Sequence, residues 1–79
     1  MPTTPDYIRI ADDIIRAVRE KRLKPEDKLP PIAQMAADNR VGTSTIQMVY
    51  VRLEALRVIR RHQGKGIFVT DPALWMREP

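Results

Sequence analysis

The chain has 79 residues and a mass of 9.1 kDa, room for one small domain with a single core. Cysteine is absent and the only histidine is His62, which excludes disulfides, thiolate nucleophiles, Cys-ligated zinc and a His-based metal site, so no cofactor is expected. No apolar run approaches the roughly 20 residues of a membrane span. The start Met1-Pro2-Thr3-Thr4 lacks the basic and apolar stretches of a secretory signal, so a soluble intracellular domain without membrane contact is expected.

Charge is unevenly placed. Residues 1–38 carry seven cations and seven anions, whereas residues 39–79 carry seven cations and three anions and hold the whole net charge of +4. Between Ala55 and Thr70 stand Arg57, Arg60, Arg61 and Lys65 with no acid among them. Such a segment attracts polyanions, although a merely solvated basic face would look the same.

Tyr7, Ile10, Ala11, Ile14 and Val18 recur at helical spacing, with Ile15 beside them, and predict a first helix over about 5–21. Thr4 suits its N-cap, Pro5 its first position and Asp6 the positive helix end. Pro25, Pro30 and Pro31 then forbid a continuous helix. Pro25-Glu26 reads as a turn, with Leu23 and Leu29 directed inward. Ile32, Met35 and Ala36 place a short second helix at about 31–38, ending at Asn39, a residue tolerant of the left-handed conformation.

A third helix begins after Val41-Gly42, with Ile46, Val49, Leu53 and Leu56 as its apolar stripe and Tyr50 alongside. Gly42 or Thr43 caps it. Two short helices joined by a tight turn form a helix-turn-helix. The period then changes to two. Val58 to Arg61 leads into His62-Gln63-Gly64-Lys65-Gly66, and Ile67-Phe68-Val69 leads out, as in a β-hairpin with a cationic tip. The expected fold is therefore mainly α, three helices plus a two-stranded wing: a winged helix-turn-helix over residues 1–70. Residues 71–79 form a tail whose Leu74, Trp75 and Met76 either close the core or pair subunits.

In this order, the residues resemble the DNA-binding domain of the GntR family of bacterial transcription regulators. The resemblance runs from Tyr7 to Val69. It rests on Ile10-Ala11-Asp12-Asp13-Ile14-Ile15, on Leu23-Lys24-Pro25 with Asp27-Lys28-Leu29-Pro30, and on Met35-Ala36, Val41, Thr45-Ile46 and Leu53-Glu54. The wing Arg60-Arg61-His62-Gln63-Gly64-Lys65-Gly66-Ile67-Phe68-Val69 completes it. The chain departs from the family pattern at Pro31 and Ala33, where Ser and Arg are usual. It departs again at Gly42, Thr43 and Gln47, where Ser, Arg and Arg are usual. Glu26 and Arg57 stand where glycines are expected. The missing arginines, which typically meet phosphates and guanine, leave the operator open.

What the resemblance implies is a sequence-specific reader of double-stranded DNA, a repressor in the simplest case, cytoplasmic and associated with the nucleoid. On this reading Thr43, Ser44 and Thr45 contact phosphates or base edges, and Gln47 pairs bidentately with adenine. Arg40 and Arg52 contact phosphates. Arg61 and Lys65 carry the wing's charge, with Gly64 and Gly66 allowing close approach. Arg60 and Arg61 alternate faces, so only one reaches DNA. The bland alternatives are a capped helix and a solvated hairpin, and His62 receives no role.

Met48 and Val51 meet a thymine methyl, a second protomer, or the tail. One module alone gives modest affinity; a homodimer on DNA, with half-sites about 34 Å apart, is expected. Asp12 and Asp13 diverge by about 100° on a helix and cannot converge on one substrate atom, and no catalytic constellation or small-molecule site is expected, so the chain is not read as an enzyme. Family members normally carry a larger sensing and dimerising domain. Here the chain is read either as a minimal regulator, which its Met-Pro start and apolar tail favour, or as an excised domain. The rival functions are the DNA-binding part of a larger ligand-sensing regulator and a winged helix converted to protein binding.

Overall fold

Each helix here ends on a cation in the left-handed region. A computed structural model describes residues 5–75, with α1 at Asp6–Arg19, β1 at Lys28–Leu29, α2 at Ile32–Asn39, α3 at Thr43–Ala55, β2 at Ile59–His62 and β3 at Gly66–Val69. Lys21, Arg40 and Arg57 follow the three helices with φ of 64°, 57° and 64°. At each end the two amides at and after that residue close back onto the last turn. Arg57 N–H donates to Glu54 C=O at 3.0 Å and Val58 N–H to Leu53 C=O at 2.8 Å. Equivalent pairs join Lys21 to Val18 with Arg22 to Ala17, and Arg40 to Ala37 with Val41 to Ala36. These are Schellman caps, which satisfy carbonyls that would otherwise be orphaned and place a positive charge at the negative helix pole.

Two boundaries differ from the sequence expectation, the second of them because of this capping. Pro5, not Thr4, occupies the N-cap position of α1, and Thr4 itself lies outside the described residues. The second helix runs one residue later than expected, and Arg40 rather than Asn39 takes the left-handed conformation. Asn39 remains helical and donates its Nδ2 to Met35 C=O at 2.9 Å. Arg57, one of the two departures at expected glycines, adopts the conformation that glycine would hold at least cost; Glu26, the other, does likewise at φ 74°. Glycine at position 57 should therefore give a protein more stable than valine there by about 1–2 kcal/mol, since a β-branched side chain is worst in this region. The difference in urea midpoints between Arg57→Gly and Arg57→Val measures it, and equal midpoints would contradict the assigned conformation.

The core forms where α1 crosses α3. Ile10, Ala11, Ile14 and Val18 pack with Ile46, Val49, Tyr50 and Leu53, and Ala36, Leu29, Val58, Ile59 and Val69 close the cluster. Tyr50 is fully buried, and its hydroxyl donates to Pro30 C=O at 2.7 Å. This bond ties the proline-rich connection to α3.

The wing has a third strand that the expectation of two strands lacked. β1 pairs antiparallel with β3, Lys28 opposite Phe68 and Leu29 opposite Ile67, and β3 pairs with β2 from Ile59–Val69 to His62–Gly66. Two residues carry no readable period, so only the pairing reveals this strand. Beyond it, Glu26 N–H donates to Val69 C=O and Val69 N–H to Asp27 C=O, both at 2.8 Å. Thr70 fastens the far end. Its hydroxyl reaches the Arg57 and Val58 carbonyls and accepts from Trp75 Nε1 at 3.0 Å. A short 3-10 turn, Pro72–Leu74, is capped by Asp71 and returns Trp75 to the core, with the Arg19 guanidinium 5.8 Å from its ring centre. Leu74 is exposed, and Met76 lies outside the described residues.

Candidate nucleic-acid interface

The start of α3 stands in solvent. Gly42 is its N-cap, and Thr43, Ser44 and Gln47 are exposed, while Thr45 is half-buried against the domain. This split follows from helical spacing: Ile46, Val49, Tyr50 and Leu53 hold one side of α3 in the core and turn the other outward. Arg40 is exposed in the turn before α3, and Arg52 is half-buried two turns beyond Ser44.

Met48 and Val51 are also exposed, so the described part of the tail does not bury them. With Tyr7, Ser44, Gln47, Arg52, Ala55 and Leu56 they line an open groove of about 600 Å³ between α1 and α3. The described part of the tail packs elsewhere, because Trp75 bonds to Thr70 and stacks near Arg19.

The wing's two arginines take opposite sides of the sheet, as their alternation predicts. Arg61 shares a face with Ile67 and with buried Ile59, Leu29 and Val69, toward α3. Its Nε donates to Glu54 Oε1 at 3.2 Å. Arg60 shares the outer face with Phe68 and Lys28. It pairs with Glu26 at 2.8 Å and lies 5.6 Å from the Phe68 ring centre. Both guanidiniums are thus engaged by carboxylates of their own chain, a feature that sequence spacing does not reveal. Both pairs are exposed and remain available for exchange, since such pairs are worth about 0–1 kcal/mol.

At the tip, Lys65 N–H donates to His62 C=O at 2.9 Å and closes the turn. Gly64 takes φ 81° with nothing near the position of an added side chain, whereas Gly66 takes φ 127° beneath the Lys28 side chain. Lys65 is exposed and forms no ion pair among the described residues. His62 packs edge-on to Phe68 with ring centres 6.5 Å apart. Gln47 and Glu54 are seven residues apart and so share a face of α3. The Arg61–Glu54 pair therefore sets the inner side of the wing against the face that carries Gln47.

Comparison with known proteins places the chain in a family. Residues 6–69 match the model of the bacterial regulatory proteins of the gntR family. The HTH-type transcriptional regulator YhcF of Bacillus subtilis is 38% identical over 69 residues, which are 87% of this chain and 57% of that protein. The HTH-type transcriptional repressor YtrA of the same organism is 27% identical over 71 residues, 90% of this chain and 55% of that protein. A crystal structure of a transcriptional regulator from Oenococcus oeni superposes with a TM-score of 0.87 at 33% identity, covering 89% of this chain and 58% of that one. The chain thus spans somewhat over half the length of these relatives. With its helix-turn-helix, its basic wing and a family match across nearly the whole described region, the chain belongs to the gntR family of bacterial regulatory proteins.

Proposed function

We propose that this chain is a DNA-binding transcriptional regulator that reads double-stranded DNA by sequence and acts as a repressor, in the cytoplasm and on nucleoid DNA. In this reading the N-terminal end of α3 enters the major groove. Thr43, Ser44 and Thr45 meet phosphates or base edges, and Gln47 pairs with adenine. The wing lies in the adjacent minor groove or along the backbone, with Lys65 and Arg61 as its cations and Gly64 leaving its tip unobstructed. Arg40 and Arg52 hold phosphates. Two copies bind together, one to each half-site.

The observation that carries the reading is the setting of a cationic wing against the face of α3 on which Gln47 is exposed. Family membership and the repressor among the relatives support it.

The test is selection from random duplexes, followed by isotherms on the winner and on a scrambled duplex at two salt concentrations. The expected result is a palindrome bound at least about a thousandfold more tightly than the scrambled duplex. Lys65→Ala should weaken binding to all sequences alike and flatten the dependence of log affinity on log salt by about one unit for each bound copy. Equal binding to both duplexes would contradict sequence-specific reading. Absence of binding at low salt would contradict DNA binding itself.

A further inference from the structure

The third strand brings to the wing a cation from the electroneutral half of the chain. Lys28 lies opposite Phe68 on β3, on the outer face of the sheet, and is exposed. Its side chain extends along β3 toward the tip and crosses Gly66, two residues from Phe68. A Cβ on Gly66 would lie 2.6 Å from Lys28 Cε and 3.4 Å from its Nζ. Gly66, whose φ of 127° itself suits glycine, leaves room for the Lys28 side chain to lie beside the backbone that bears Lys65.

The neighbouring charges make this placement consequential. On the same face, Arg60 is paired with Glu26, whereas Lys28 has no ion pair among the described residues. Among the described residues, Lys28 therefore gives the outer face of the wing its uncompensated charge, next to the tip with its own unpaired Lys65. Two ammonium groups flanking a glycine suit a row of phosphates, since each backbone phosphate met by a cation releases condensed counterions.

We infer that Lys28, delivered by β1 across Gly66, is a second phosphate contact of the wing acting with Lys65 on the DNA backbone. This rests on the DNA-binding reading above. It also gives Gly66 a further part, since its bare backbone leaves room for Lys28.

Lys28 stands at an exposed position, but its stem also packs, and a purely structural stem must be separated from a working charge. Lys28→Met keeps most of the stem and removes the charge; Lys28→Arg keeps the charge. Both, with Lys65→Ala as comparison, are titrated as the full 79-residue chain against the selected duplex at 50 and 200 mM salt.

The expected result for Lys28→Met is a salt slope smaller by about 0.9 for each bound copy, about 1.8 for the pair on a palindrome, so that its deficit relative to the unaltered chain shrinks about 12-fold across that range. Its ranking of sequences should not change, and Lys28→Arg should keep the full slope. An unaltered slope in Lys28→Met, with a reduced slope in Lys65→Ala, would overturn the assignment of Lys28 while leaving DNA binding intact. Failure of the unaltered chain to bind either duplex at 50 mM would overturn both.

Discussion

Replacing Tyr50 by alanine should remove a large part of the stability of this domain. A buried aromatic truncated to alanine costs about 3–5 kcal/mol, and a domain of this length has a total stability of roughly 4–12 kcal/mol. Tyr50 is fully buried between α1 and α3, and its hydroxyl is the donor for Pro30 C=O, so the loss empties the core and frees the proline connection together. Circular dichroism during urea titration reads the effect. Tyr50→Phe separates the two contributions, because it keeps the ring and removes only the donor, at a cost of about 1–2 kcal/mol.

The same pair gives a pH test. Burial raises the Tyr50 hydroxyl from its ordinary value of 10.0 to about 12. The folded protein therefore holds this proton where the unfolded chain releases it. Its contribution is fully present below pH 10 and is lost as pH rises through about 12. Stability of the unaltered chain should fall more steeply above pH 10 than that of Tyr50→Phe. Parallel curves for the two would show that the hydroxyl is not held as described.

The second large effect concerns which base is read. Gln47→Ala should remove discrimination worth about 1–3 kcal/mol at one base pair of each half-site, roughly 5- to 150-fold. Overall affinity for nonspecific DNA should change little, since that depends on the cations. Gln47→Arg restores the residue usual in the family and should move the preference at that position from adenine to guanine, because Arg pairs bidentately with guanine O6 and N7. Repeating the selection with each variant measures this directly. The same recovered sequence from all three proteins would exclude Gln47 as a base reader and leave it an ordinary surface residue of α3.

The sequence shows plainly those features that are local or periodic. The stripes of α1 and α3 predicted Ile10, Ile14, Ile46, Val49 and Leu53 as core, and all are buried. The change of period after Leu56 placed the hairpin, and the order of elements with the Leu29-Pro30 and Gly64-Lys65-Gly66 motifs pointed to the family. Even the positions of unusual backbone showed faintly, since Glu26 and Arg57 stand where glycines are expected and both have positive φ. Helix ends were less legible, because Asn39 and Arg40 differ in propensity by less than the Schellman hydrogen bonds that fix the terminus.

What the sequence by itself determined is therefore the fold class, the family and the exposed end of α3. Helical and strand periods are properties of neighbouring residues, and burial of one apolar side against another follows from them. Only the tertiary structure decided where the charges go. Arg60 and Glu26 are 34 residues apart, Arg61 and Glu54 lie on different elements, and Lys28 meets Gly66 only because β1 joins the sheet. Such pairings depend on chain closure over long separations, which composition and spacing do not encode. They separate two guanidiniums engaged within the molecule from two ammonium groups at the wing that have no ion pair among the described residues.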